Sequence, residues 1–136
     1  LFTSSNHDDG GKKINLAIKN FVNFNKNSIF VPSLGRELYY QAMKECEFMI
    51  GNSSSGIIES MIYKKPAINI LPRQLGRYSN KNVINCKNDV EDICRSINKA
   101  RSKEFKKKCE KLKNFFKKGK TKPSEIMLKK IIKKYG

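Results

Sequence analysis

The sequence predicts a three-layer α/β domain built on a parallel sheet, and three observations carry that expectation. Short apolar runs such as Phe48-Met49-Ile50 alternate with stretches of helical periodicity, the pattern of strands covered on both faces. The 136 residues suit one domain that buries roughly two thirds of its unfolded surface. Hydrophobic residues are 38% of the chain, below the usual ~45–50% yet too rich in Ile, Phe and Leu for a disordered polymer. No apolar run approaches the ~18 residues of a membrane helix.

The elements follow in order. Phe2–Ser4 reads as the end of a strand already under way, so the chain is expected to be a piece of a longer protein. Asn6-His7-Asp8-Asp9-Gly10-Gly11 is a turn opening a helix whose Ile14, Ala17, Ile18, Phe21 and Val22 recur at i, i+3, i+4, i+7 and i+8 and define an apolar face. Ser28–Val31 is a short strand stopped by Pro32. Glu37 to Cys46 reads as a helix with Leu38, Ala42 and Met43 inward. The strand Phe48–Ile50 is linked by Gly51-Asn52-Ser53-Ser54-Ser55-Gly56 to a helix over Ile57–Tyr63, and Pro66 starts the strand Ala67–Leu71. One sheet is expected to run through Ser28–Val31, Phe48–Ile50 and Ala67–Leu71 with right-handed crossovers. Val83-Ile84-Asn85 is a further strand. Helices over Val90–Ala100, Glu104–Lys118 and Ser124–Tyr135 finish the chain, with Gly119 and Pro123 between the last two.

The net charge of +17 raises the question of a nucleic-acid partner. Residues 1–98 hold 13 basic and 9 acidic side chains, whereas residues 99–136 hold 16 and 3. The excess sits between Phe105, Cys109, Leu112 and Phe116, then Leu128, Ile131 or Ile132, and Tyr135, at helical spacing. This is expected to be the solvated outside of two packed lysine-rich helices at about 104–135. Base readers interleave aromatics with Arg or Asn; here the aromatics fall on the apolar stripe and nearly all cations are Lys, which argues against a nucleic-acid partner. Cys46, Cys86, Cys94 and Cys109 form no CxxC pair and no metal-ligand spacing. No metal and no cofactor are expected. With no secretory signal pattern, the thiols are expected to be reduced in a cytoplasm, and Cys46, Cys94 and Cys109 to sit in the core.

The strongest local signal is the serine-glycine turn between a strand and a helix. A helix N-terminus presents unpaired N–H groups and attracts anions, and ligands of open α/β sheets bind at the carboxyl ends of strands. Three serines flanked by glycines exceed what a helix cap requires. Glu59 either complements the helix dipole or, beside a bound nucleotide, accepts from ribose hydroxyls. Gly119-Lys120-Thr121 fails as a P-loop, because Asn114 stands where the first glycine belongs.

Gly51-Asn52-Ser53-Ser54-Ser55-Gly56-Ile57-Ile58-Glu59, then Lys65-Pro66-Ala67-Ile68-Asn69-Ile70, then Arg73-Gln74-Leu75-Gly76-Arg77 resemble the GNSSSGIIE, GxPxxNI and RQxGR patterns of the C-terminal half of hydrolysing UDP-N-acetylglucosamine 2-epimerases. The opening turn is similar to the family's NxDxGG, and Gly119 to Ile126 to its GxGxxSxxI ending. Lys65 departs from the pattern, where the family more often has a small residue or Val.

The resemblance implies a two-lobed enzyme of the B-type glycosyltransferase architecture, with this chain as its single Rossmann-like C-terminal lobe over residues 1–136. It implies that Ser53 and Ser54 bind the diphosphate of UDP and Gly56 lets it approach. Glu59 would hold the ribose, the Leu34 backbone would meet uracil, and Asn6 and Arg73 would line the nucleotide side of the cleft. The family reaction eliminates UDP and hydrates the product to N-acetylmannosamine or a diacetamido relative, for sialic-acid-type sugars. Its acid–base carboxylates come from the other lobe, so no catalytic residue is assigned here and the isolated segment is expected to be inactive. The partners implied are a UDP-sugar and the N-terminal lobe of the same chain, with homo-oligomerisation left open and no membrane. Two alternatives remain at this stage: a glycosyltransferase lobe, against which the RQxGR segment argues, and a basic nucleic-acid-binding module.

Overall fold

A computed structural model of the chain describes residues 1–5, 10–112 and 122–135. Among these the elements are β1 (Phe2–Thr3), α1 (Gly11–Phe24), β2 (Phe30–Val31), α2 (Gly35–Glu45), β3 (Met49–Gly51), α3 (Ser55–Ile58), β4 (Ala67–Ile70), β5 (Val83–Cys86), α4 (Val90–Arg101), α5 (Lys103–Glu110) and α6 (Pro123–Tyr135). Every pairing is parallel, as expected for strands joined by crossovers.

The expected single sheet is instead divided. β2 pairs with β1, in the register Phe2 to Phe30, while β3, β4 and β5 form a separate sheet in that order. No ladder joins Phe30–Val31 to Met49–Gly51 among the described residues.

β4 is central, and Ala67, Ile68 and Asn69 are all buried. Successive side chains of a strand point to opposite faces, so burial of all three requires cover on both. Ile68 packs in a core with Ile84, Cys86, Ala100, Phe105 and Cys109, from β5, α4 and α5. Ala67 faces the other way, with its Cβ 3.9 Å from where a Cβ on Gly56 would lie. These are the three layers of a Rossmann-like α/β domain: α3, the sheet, and α4 with α5.

Helix ends follow local chemistry. Asp89 accepts from the Asp92 N–H at 2.8 Å and starts α4, and the Ser102 hydroxyl accepts from the Phe105 N–H at 3.2 Å and starts α5. Gly10 holds φ 90 at the start of α1, with its carbonyl accepting from the Ile14 N–H, a conformation glycine adopts without strain. After α3, Lys64 holds φ 56.

Several expectations of burial fail. Ile14 and Phe21 on the apolar face of α1 stay half exposed, and Leu38 is exposed. Cys94 is exposed and Cys46 half-buried, whereas Cys86 and Cys109 are buried. Cys86 belongs to a strand, where spacing along a helix gives no signal of burial. On α6, Leu128, Ile131, Ile132 and Tyr135 are exposed, so its apolar stripe is not packed against α5 among the described residues. Phe116 and Gly119-Lys120-Thr121 lie outside the described residues. No helix is long and apolar enough to cross a membrane and no metal-holding cluster occurs, again among the described residues.

Candidate functional site

A cavity of about 280 Å³ opens at the carboxyl end of β3, bounded by Leu34 after β2, Gly51, Ser53 and Gly56 of the serine turn, and Asn69 of β4. Three of the residues singled out in the sequence, Leu34, Ser53 and Gly56, thus meet at one opening from separate stretches of chain. Ser54 is adjacent, with its carbonyl accepting from the N–H groups of Ile57 and Ile58 at 3.0 and 2.9 Å. Asn6 lies outside the described residues.

The turn differs from the expected loop-to-helix junction. α3 is only four residues long, in place of the expected helix over Ile57–Tyr63. The cause is Ser60: its hydroxyl donates to the Gly56 carbonyl at 2.6 Å, and its N–H bonds the Ser55 carbonyl instead. A side chain competing for the backbone acceptor ends the regular ladder. Asn82, fully buried, fixes this arrangement by donating to Ser60 Oγ and to the Lys65 carbonyl, each at 2.8 Å. The helix-dipole part of the sequence argument is correspondingly reduced, and what remains is the loop itself.

Ser53 is exposed, and its Oγ accepts from the Ser55 N–H at 3.4 Å; a hydroxyl in that position can still donate. Arg73 and Gln74 both reach back to the Asn52 carbonyl, Arg73 Nη1 at 3.3 Å and Gln74 Nε2 at 2.7 Å. Arg73 is therefore next to the serine turn, although it lies 20 positions from Ser53 in sequence. Glu59 does not line the cavity; it is half-buried one turn away and accepts a long 3.5 Å hydrogen bond from Tyr40 Oη.

Sequence reasoning gave no role to Gln74, Asn69 or Asn82. Gln74 is 4% exposed and holds the serine turn, and the Arg-Gln pair following an apolar strand was the visible signal. Asn69 donates to Asn85 Oδ1 at 2.8 Å, while its own Oδ1 is buried without a partner among the described residues. A polar residue interrupting the apolar run Ala67–Leu71 was the clue there.

A sequence model of the UDP-N-acetylglucosamine 2-epimerase family matches residues 1–128. The chain is 42% identical over 108 residues to a Campylobacter jejuni protein named GDP/UDP-N,N'-diacetylbacillosamine 2-epimerase (hydrolyzing), covering 78% of this chain and 27% of that protein. It is 35% identical over 72 residues to UDP-N-acetylglucosamine 2-epimerase of Neisseria meningitidis, covering 53% of this chain and 19% of the relative. It is also 35% identical over 105 residues to polysialic acid biosynthesis protein P7 of Escherichia coli, covering 77% and 27%. The chain spans about a quarter of the length of these curated relatives. A match across nearly all its residues settles its kinship: the chain belongs to the UDP-N-acetylglucosamine 2-epimerase family.

Proposed function

We propose that residues 1–136 form the nucleotide-binding lobe of a hydrolysing 2-epimerase acting on a UDP-linked N-acetylamino sugar. The observation that carries this reading is the convergence of Leu34, Ser53 and Gly56 on one opening at the carboxyl end of β3. Gly56 fits this reading, because a residue without a Cβ leaves the backbone of the turn open to close approach by a diphosphate.

In this reading Ser53 and Ser54 donate to the diphosphate, and Arg73, beside the same turn, adds charge to hold it. Glu59 accepts from the ribose hydroxyls, its carboxylate oriented by Tyr40. The Leu34 backbone meets the uracil, and Asn6 joins the nucleotide side. The reaction eliminates UDP from the sugar and then hydrates the product. Its acid–base carboxylates belong to a second lobe, so this segment alone binds without turning over. The higher identity to the diacetylbacillosamine 2-epimerase favours a diacetamido sugar, with N-acetylglucosamine as the second substrate to assay.

The test is UDP titration of the full-length enzyme by calorimetry and NMR. Amides of residues 51–59 should shift, and Glu59→Ala should weaken UDP about tenfold or more, since a hydrogen bond to a charged group contributes roughly 1.5–3 kcal/mol. Shifts confined to the lysine-rich helices, with 51–59 unmoved, would sink the proposal.

A further inference from the structure

Buried side-chain oxygens of Asn69, Gln74 and Asn82 have no hydrogen-bond partner among the described residues. Of these three residues, Asn69 alone lines the cavity. An acceptor taken from water and left unanswered is costly, so a buried one calls for a physical account.

The sheet sets the direction of that oxygen. Asn69 of β4 stands in register with Gly51 of β3 and Asn85 of β5, so the three share one face. It is also the face of Ala67, which lies against Gly56 of the serine turn. Asn69 Nδ2 donates to Asn85 Oδ1 at 2.8 Å, on the β5 side. The nitrogen and oxygen of a planar amide diverge, so Asn69 Oδ1 is turned the other way, toward β3. There Gly51 has no side chain, and nothing lies within 4 Å of where its Cβ would be. Asn85 is exposed and Asn69 is buried, so the outer amide anchors the inner one with its oxygen toward the opening.

We propose that Asn69 Oδ1 is an acceptor for the sugar of the substrate, taking a hydroxyl or acetamido N–H. The inference rests on the nucleotide reading of the cavity and deepens it. Diphosphate oxygens only accept, so they offer Asn69 nothing. In that reading the uracil meets the Leu34 backbone and the ribose hydroxyls meet Glu59. The sugar is the remaining part that carries donors. It continues from the diphosphate, and Gly51, Ser53 and Asn69 border the same opening. A fixed buried acceptor discriminates against a ligand without the matching donor, because the acceptor then stays unpaired. Asn69 thereby favours the sugar nucleotide over free UDP, which eases release of UDP after the sugar has gone.

The experiment uses the full-length enzyme. Initial rates are measured on whichever of UDP-N-acetylglucosamine and its diacetamido relative it turns over, with UDP as the inhibitor. Asn69→Leu, of similar volume, should lower kcat/KM about tenfold and leave the UDP inhibition constant within about twofold. Asn85→Ala, on an exposed position, frees the amide to turn and should lower kcat/KM about threefold with the same inhibition constant. It carries the test if Asn69→Leu does not fold. Unchanged kcat/KM, with UDP still inhibiting, overturns this inference alone. An inhibition constant that rises in step with the loss also overturns it, because Asn69 then only braces the serine turn. If UDP neither inhibits nor shifts the amides of residues 51–59, the nucleotide reading falls and this inference with it.

Discussion

Single positions record where local conformation and ligand demands diverge. Lys64 holds φ 56, which costs a residue with a Cβ roughly 1 kcal/mol. Lys64→Gly relieves that strain but loosens the unfolded chain, so denaturant melts should place it between neutral and about 1 kcal/mol more stable. A drop beyond ~0.5 kcal/mol would contradict the strain. Asn82 carries the larger stake: it is fully buried and donates twice. Asn82→Ala strands the Lys65 carbonyl and frees Ser60, and should cost about 1–3 kcal/mol, read from the same melts. The serine turn was legible in the sequence because its chemistry is local. Asn82 was not, because its role depends on Ser60 and Lys65, 22 and 17 positions away.

At the scale of elements, the periodicity located the helices but not which of their residues would be covered. α4 is one residue longer than expected, and α5 begins one residue early, with Phe105 and Cys109 buried as their spacing required. α6 has the same kind of stripe, yet it is exposed, since amphipathicity states what a helix offers and not what answers it. Burial pushes the Cys109 thiol up to about 11 from an ordinary 9.0. A raised folded-state pKa means stability is intact below pH 9 and falls as pH rises from about 9 toward 11. Denaturation midpoints across that window should decline, and Cys109→Ala should decline less steeply. Identical slopes would show that burial does not raise the thiol's pKa above its unfolded value.

For the whole molecule, the sequence conveyed parallel pairing and layer order, which follow from apolar runs and crossover length. It did not convey the split between the sheets, because strand order depends on pairings that no local pattern encodes. The same split leaves the interior lopsided. Every member of the buried apolar cluster lies between Ile68 and Cys109, whereas α1 holds one buried residue, Gly11. Cohesion is thus concentrated in the C-terminal two thirds, and the segment through α1 and β2 opens at lower free energy. Brief trypsin treatment of the 136-residue chain should therefore cut at the exposed Lys12, Lys13, Lys19 and Lys26 before Arg101, which is tied to Glu47 at 3.6 Å. Without further polypeptide against it, the region holding β1 and α1 offers proteases an opening that α4 and α5 do not.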